Sequence, residues 1–195
     1  NNKGIEMKTR IGVDVDGVIR DFSLDLHRVI KEHYPEYIMD DKETPKEMTD
    51  WDLENSFDAP KQEIQRIYRE EFAHNILSNG TPIVENVDYL REQIKKDKHT
   101  FIAVTSQHPI CCHHTLYWLG KHELGFSSVV FKKGRRKWQV EVDYLIDDSP
   151  NNHEAWVAGR QMEDGFLLLD RPWNEKVDAQ NRVNNIKEAM DLINE

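Results

Sequence analysis

The sequence predicts an α/β protein: a mostly parallel, Rossmann-like three-layer sheet with a small helical insertion after its first strand. Three observations point to it. Short apolar runs alternate with helical patterns along most of the chain. The stretch from about residue 23 to 80 breaks this alternation, being helical in pattern and free of strands. Several apolar runs end in polar residues, where open parallel sheets place their sites.

Residues 10–15 are strongly apolar and read as the first, central strand. From Phe22 to about His33, Phe22, Leu24, Leu26, Val29 and Ile30 recur at helical spacing, and Pro35 lies just beyond. Residues 35–58 are polar and irregular. Pro60 stands where a helix begins, and Ile64, Ile67, Tyr68 and Phe72 mark one face of it. Asn79-Gly80-Thr81-Pro82 is a turn signal. Residues 84–96 form an amphipathic helix, 100–105 a buried strand, 113–124 a helix and 128–131 a short strand. A basic loop, 132–137, leads to a strand at 142–146 that ends in Asp147-Asp148. A helix at 151–160, a core strand at 166–169 and a helix at 182–193 complete the chain. On this reading residues 8–22 and 80–195 build the core, and residues 23–79 form a cap.

The 195 residues suit one α/β domain with an insertion. The formal net charge of −10 argues against nucleic-acid binding by the surface as a whole. No apolar run approaches the ~20 residues of a membrane span. Residues 1–10 lack the apolar region of a signal peptide, and Met7 is a candidate start. The only two cysteines, Cys111 and Cys112, are adjacent, which disfavours a disulfide and suits a reducing, cytoplasmic compartment. Cys111-Cys112-His113-His114 has metal-ligand composition, but four consecutive residues cannot converge on zinc. A monomer or a homodimer is expected.

Three strand ends carry chemistry. The first is Asp14-Val15-Asp16, followed by Gly17, which permits a sharp turn. Two carboxylates one residue apart repel unless a proton or a cation lies between them. The second is Thr105-Ser106, and the third is Asp147-Asp148. Lys137 lies between the last two. An acidic pair, hydroxyls, a lysine and a second acidic pair suit phosphomonoester hydrolysis. Asp14 is then the nucleophile and Asp16 the acid/base. Mg²⁺ is held by Asp14, the Asp16 carbonyl and Asp147 or Asp148. Thr105 or Ser106 binds phosphate oxygens, and Lys137 neutralises developing charge.

In this order the motifs resemble those of the haloacid dehalogenase (HAD) superfamily of phosphatases. Asp-Val-Asp-Gly-Val-Ile-Arg-Asp-Phe (14–22), Val-Thr-Ser (104–106), Lys137 and Tyr-Leu-Ile-Asp-Asp-Ser-Pro (144–150) are similar to the 5′(3′)-deoxyribonucleotidase family and its bacterial and phage relatives. Thr-Asp-Trp-Asp-Leu (49–53) and Asp-Arg-Pro-Trp-Asn (170–174) are also similar to segments of those relatives. The resemblance implies a HAD core with a helical cap, an aspartyl-phosphate intermediate, Mg²⁺ and a nucleoside monophosphate substrate. It implies that Phe22 stacks on the base, and of the second acidic pair it favours Asp148 as the metal ligand. Trp51, Phe72 and Tyr68 are candidate base-pocket walls on the cap, and Trp173 is another. One departure stands out: the lysine that animal members carry after the second motif is missing from residues 107–115, where His114 is a candidate substitute. The competing readings are a phosphatase for another small phosphomonoester, such as a sugar phosphate, and a non-catalytic phospho-acceptor or binding module.

Overall fold

The computed structural model describes residues 8–195, so Met7 lies outside the described residues. Strands β1 (Arg10–Val13), β2 (Thr100–Thr105), β3 (Ser128–Phe131), β4 (Tyr144–Asp147), β5 (Phe166–Leu169) and β6 (Arg182–Val183) form one sheet in the order β3-β2-β1-β4-β5-β6. Every pairing is parallel. The chain winds outward from β1 to β3, then crosses to the other side of β1 for β4. The crevice at that reversal opens at the carboxyl ends of β1, β2 and β4, where doubly wound sheets bind ligands.

Alternation along each strand explains the layers. Ile11, Val13, Phe101, Ala103, Ile146, Leu167 and Leu169 face one side. They pack against helices α3 (Val84–Lys96), α4 (Cys112–Lys121) and α6 (Ile186–Ile193) through Val87, Leu90, Trp118, Leu119, Ala189 and Met190. Ile102, Val104, Leu145, Phe166 and Leu168 face the other side, against Trp156 of helix α5 (Pro150–Arg160). With both faces covered, the strands can be continuously apolar.

Between β1 and α3 lie helix α1 (Phe22–His33), helix α2 (Lys61–Arg66), short 3₁₀ turns, and two wide turns at Ile67–Glu71 and His74–Ser78. Their apolar side chains form a separate cluster that includes Leu26, Ile30, Met48, Phe57, Ile64, Ile67 and Leu77. Two connections tie this unit to the sheet at one place: Asp21 N donates to Thr81 O (2.8 Å) and Ile83 N to Ile19 O (2.9 Å). Among the described residues no helix is long and apolar enough to cross a membrane.

Three element assignments need correction. Strand pairing of β1 stops at Val13, not residue 15, because the Val15 carbonyl accepts from Ile19 N and Arg20 N in a tight loop. The helix expected from Pro60 to Phe72 is regular only over Lys61–Arg66; it then widens, with Phe72 N bonding Ile67 O. Residues 182–183 are not the start of the last helix but the edge strand β6, and Asn185 caps α6 by accepting from Glu188 N.

One buried amide ties two helices of the same layer to the loop after β1. Asn86 on α3 donates to Val18 O (2.7 Å) and accepts from Ile186 N (3.0 Å), linking the loop after β1 to the start of α6. Asn86→Leu leaves both backbone groups unpaired and is expected to cost about 2–3 kcal/mol. A lower urea midpoint at unchanged slope checks it; an unchanged midpoint refutes it.

Candidate active site

The site's floor is set by β1 and β4. Asp14 follows β1 directly, and its amide donates to Ile146 O (2.9 Å), which extends the ladder by one bond. Its carboxylate accepts from Val15 N (2.7 Å) and lies 2.7 Å from Lys137 Nζ. Lys137 is 1% exposed and also lies 2.7 Å from Asp147 Oδ2. The lysine thus joins the ends of two neighbouring strands.

Lys137 reaches this place because its loop is pinned from behind. Arg160, at the end of α5, donates to the carbonyls of Trp138 (3.1 Å), Val140 (2.7 Å) and Val142 (2.8 Å). Its guanidinium also lies over the Trp156 ring at 3.8 Å. Gly159 leaves room for the Trp138 ring, which a Cβ there would strike.

Asp147 and Asp148 are both buried but differently employed. Asp147 accepts from Lys137, from Ser149 N (2.8 Å) and from Asn152 Nδ2 (3.0 Å), so both oxygens are occupied. Asp148 accepts from Trp173 Nε1 (3.0 Å) through Oδ2, while its buried Oδ1 has no partner. Ser149 caps α5 by accepting from Asn152 N (3.1 Å). The Asp-Asp-Ser-Pro turn therefore serves as helix cap and as site together.

Asp14, Asp147 and Asp148 place carboxylate oxygens within 4.8 Å of one another. The Lys137 ammonium pairs with Asp14 and Asp147, and Asp148 feels Arg171 and Lys137 only at longer range. Burial, the nearby Asp147 and the nearby Asp16 push Asp14 up to about 7 despite Lys137. Burial and the charges of Asp147 and Asp14 push Asp148 well above the ordinary carboxylate range. Burial pulls Lys137 down, but attraction to Asp14 and Asp147 outweighs it and keeps the ammonium charged. The cluster is thus short of positive charge, and its one unpartnered oxygen belongs to Asp148. A hard divalent cation fits Asp14 and Asp148. The Asp16 carboxylate stands outside this cluster.

Since pairing ends at Val13, Asp14 and Asp16 do not share a strand face. Asp16 turns to Arg20, whose Nε and Nη2 donate to its two oxygens at 2.8 Å and 3.1 Å, and Gln107 Nε2 donates at 2.6 Å. Gly17, between them, has φ +78°, and a Cβ there would run into the Asp148 carboxylate. The loop is held from above by the 170–174 segment. Arg171 Nε donates to Gly17 O (2.7 Å), and Asn174 Nδ2 donates to Asp148 O (2.8 Å).

Above the floor lies a cleft of about 1000 Å³. Asp14, Asp16, Lys137, Asp148, Thr105 and Ser106 line its lower part, and Phe22, Trp51, Tyr68 and Trp173 its walls. Thr105 Oγ1 is buried without a partner, whereas Ser106 is exposed and its Oγ accepts from Gly134 N (3.2 Å). Phe22 and Tyr68 meet edge to face at 5.2 Å. Lys133 and Arg135 of the basic loop stand at the rim, with Arg69 on the cap side. Asp147 does not reach the cleft surface. Phe72 does not line the cleft either: it stacks on His33 at 4.5 Å and packs in the cap's own core. His114 also points elsewhere, its Nδ1 2.7 Å from Ser78 Oγ. Cys111 is buried against the cap cluster, Cys112 lies at the cleft, and both are free thiols.

Sequence reasoning missed the residues that orient this machinery: Arg20, Gln107, Asn152, Arg160, Arg171 and Asn174. Arg20 carried a usable signal, a charge inside the otherwise apolar Val18-Ile19 turn. Arg160 and Asn152 carried none, since a polar residue on a helix reads as surface until its partners are known.

A model of the family described as 5′ nucleotidase, deoxy (pyrimidine), cytosolic type C protein matches residues 8–195. No curated protein matches. Solved structures share the fold at low identity. CbbY from Rhodobacter sphaeroides, in complex with phosphate, is 16% identical over 92% of this chain and 95% of its own, with a TM-score of 0.58. The HAD-hydrolase YfnB from Bacillus subtilis, bound to magnesium, is 14% identical over 97% and 100%, with a TM-score of 0.61. A HAD-superfamily hydrolase, subfamily IA, from Geobacter sulfurreducens PCA is 15% identical over 95% and 96%, with a TM-score of 0.53. With a match running from the first strand to the last residue of a six-stranded HAD-like sheet, the chain belongs to the cytosolic type C 5′-deoxynucleotidase family of HAD hydrolases.

Proposed function

We propose that the chain is a Mg²⁺-dependent phosphomonoesterase that hydrolyses (deoxy)nucleoside monophosphates to nucleoside and phosphate. The observation that carries this reading is the position of Asp14: a carboxylate at the end of the central strand, paired with a buried lysine, at the bottom of an aromatic-walled cleft. Family membership supports the same chemistry.

Asp14 attacks phosphorus, its oxygen bonding as the ester P–O bond breaks. Asp16 gives its proton to the departing alkoxide. Water then attacks the aspartyl-phosphate, passing a proton to Asp16 and releasing phosphate, so that both residues return to their starting states. Thr105, with its unpartnered hydroxyl, and Ser106 donate to phosphate oxygens, and Lys137 fixes Asp14 and balances charge. Mg²⁺, when bound at Asp14 and Asp148, supplies the positive charge that lets a carboxylate approach a phosphate dianion. Asp147, with both oxygens occupied, holds Lys137 instead of binding metal directly. Residues 23–79 act as the cap over a core of 8–22 and 80–195, and Phe22, Trp51 and Tyr68 offer the base a stacking surface.

A sugar-phosphate phosphatase would use the same floor but gain nothing from these aromatic walls. A phospho-acceptor module without turnover would gain nothing from a carboxylate oriented as Asp16 is.

Phosphate release from nucleoside monophosphates and sugar phosphates, with Mg²⁺ and with chelator, checks the reading. Nucleotides are expected to be the faster substrates, chelator to stop release, and Asp14→Asn to lower kcat by about 10³-fold or more. Equal rates on sugar phosphates would overturn the nucleotide assignment, and activity surviving Asp14→Asn would overturn the mechanism. Trp51→Ala is expected to raise KM for nucleotides about tenfold, the worth of one aromatic stack. Phe72→Ala leaves KM unchanged and lowers Tm, because its ring packs inside the cap.

Metal binding must displace protons from Asp14 and Asp148, whose pKa values lie above the ordinary carboxylate range. Protons therefore compete more strongly as pH falls through 7. The rise in Tm on adding Mg²⁺ is expected to be larger at pH 8 than at pH 6, and to vanish in Asp148→Asn. A shift independent of pH would place the ion elsewhere.

A further inference from the structure

Arg20 is fully buried, and its hydrogen bonds reach three separate parts of the structure. Nε and Nη2 grip both oxygens of Asp16. Nη1 donates to Leu77 O (2.7 Å) in the last turn of the cap, and Nη2 also reaches Thr115 Oγ1 on α4 (3.2 Å). The guanidinium lies over Trp118 at 5.5 Å, and Trp118 Nε1 in turn donates to Gly80 O (2.7 Å). Gly80 itself is required here, since a Cβ would collide with the Arg20 stem and with Ile76 O. The slot is built to fit a planar fork.

A fully desolvated guanidinium needs a counter-charge. Asp16 is the one carboxylate in ion-pair contact with it among the described residues. The pair is bidentate, so it fixes the plane of the Asp16 carboxylate as well as its distance. Gln107 then adds a third donor from the cleft side. Among the described residues no other side chain bonds Asp16. Its rotamer is thus decided by Arg20, with help from Gln107.

We propose that Arg20 is the positioning residue of the acid/base, acting on the reaction only through Asp16. This rests on the reading above, in which Asp16 protonates the leaving oxygen and then activates water. An arginine held merely for packing would not care which substrate is cleaved. A positioning arginine would. Leaving groups differ in their need for a proton: a nucleoside alkoxide needs one, whereas p-nitrophenolate does not.

Arg20→Lys keeps the charge but loses the fork. It is expected to slow phosphate release from a nucleoside monophosphate by about 10- to 100-fold, a share of what a positioned acid/base supplies. The pre-steady-state release of nitrophenolate from p-nitrophenyl phosphate should stay within about twofold, since that step bypasses the acid. In an Asp16→Asn background, Arg20→Lys should cause no further loss. Gln107→Leu, a half-buried change that leaves the slot intact, should give the same pattern at smaller size and stands in if Arg20→Lys fails to fold. Equal slowing of both substrates' first step, an additive loss in the Asp16→Asn background, or unchanged turnover in Gln107→Leu and Arg20→Lys alike would overturn the proposal. Wild-type protein that releases no phosphate, or an Asp14→Asn variant that still does, would overturn the parent reading and this inference together.

Discussion

The ammonium of Lys137, buried between Asp14 and Asp147, is the interaction on which the site depends. An isolated lysine could not remain charged at 1% exposure; its desolvation cost would drive it to the neutral form. Two carboxylates on adjacent strands prevent that, and the lysine in return keeps those strand ends together. The cost of burying three acidic groups is not fully met by Lys137 and the more distant Arg171, however. The surplus shows in the raised pKa values of Asp14 and Asp148. Such a cluster is poorly optimised for stability alone, and suits a site prepared to receive further positive charge.

Holding that lysine in place shapes the structure behind it. A loop between β3 and β4 has few backbone partners of its own, so Arg160 satisfies three of its carbonyls at once. Asn152 bonds both Asp147 and the amide of Arg135, joining the basic loop to the floor. Helix α5 therefore does more than cover the sheet. Its first turn fixes Asp147 and its last turn fixes the loop that carries Lys137. The apolar face of the helix supplies the rigidity that makes both placements accurate.

Much of this was legible in the sequence because strands that are buried on both faces leave a plain apolar signature. The core strands at 100–105 and 166–169, and the polar residues that end the apolar runs at 105–106 and 147–148, could be read directly. The edge strand at 182–183 could not, since two residues carry no periodicity. Phe72 was misplaced for a related reason: helical spacing puts it beside Tyr68, but spacing does not tell a cleft wall from the cap's own core, where its ring packs on His33. The different partners of Asp14 and Asp16 were hidden as well. They follow from the loop that closes on the Val15 carbonyl, and a tight turn of that kind is decided by long-range partners such as Gly17 against Asp148.

The two aspartates separate into different electrostatic settings. Asp14 lies among other carboxylates on the buried floor, where its charge is costly and a cation is welcome. Asp16 lies against a guanidinium and an amide, at the seam between the sheet and the helical unit. Residues of one type, two positions apart in the chain, thus acquire unlike surroundings. Two carboxylates in the same setting would compete for the same proton, and these two do not share one setting. The glycine at position 17 and the arginine at position 20 are what keep them apart: the first lets the turn close over Asp148, and the second draws Asp16 out of the floor.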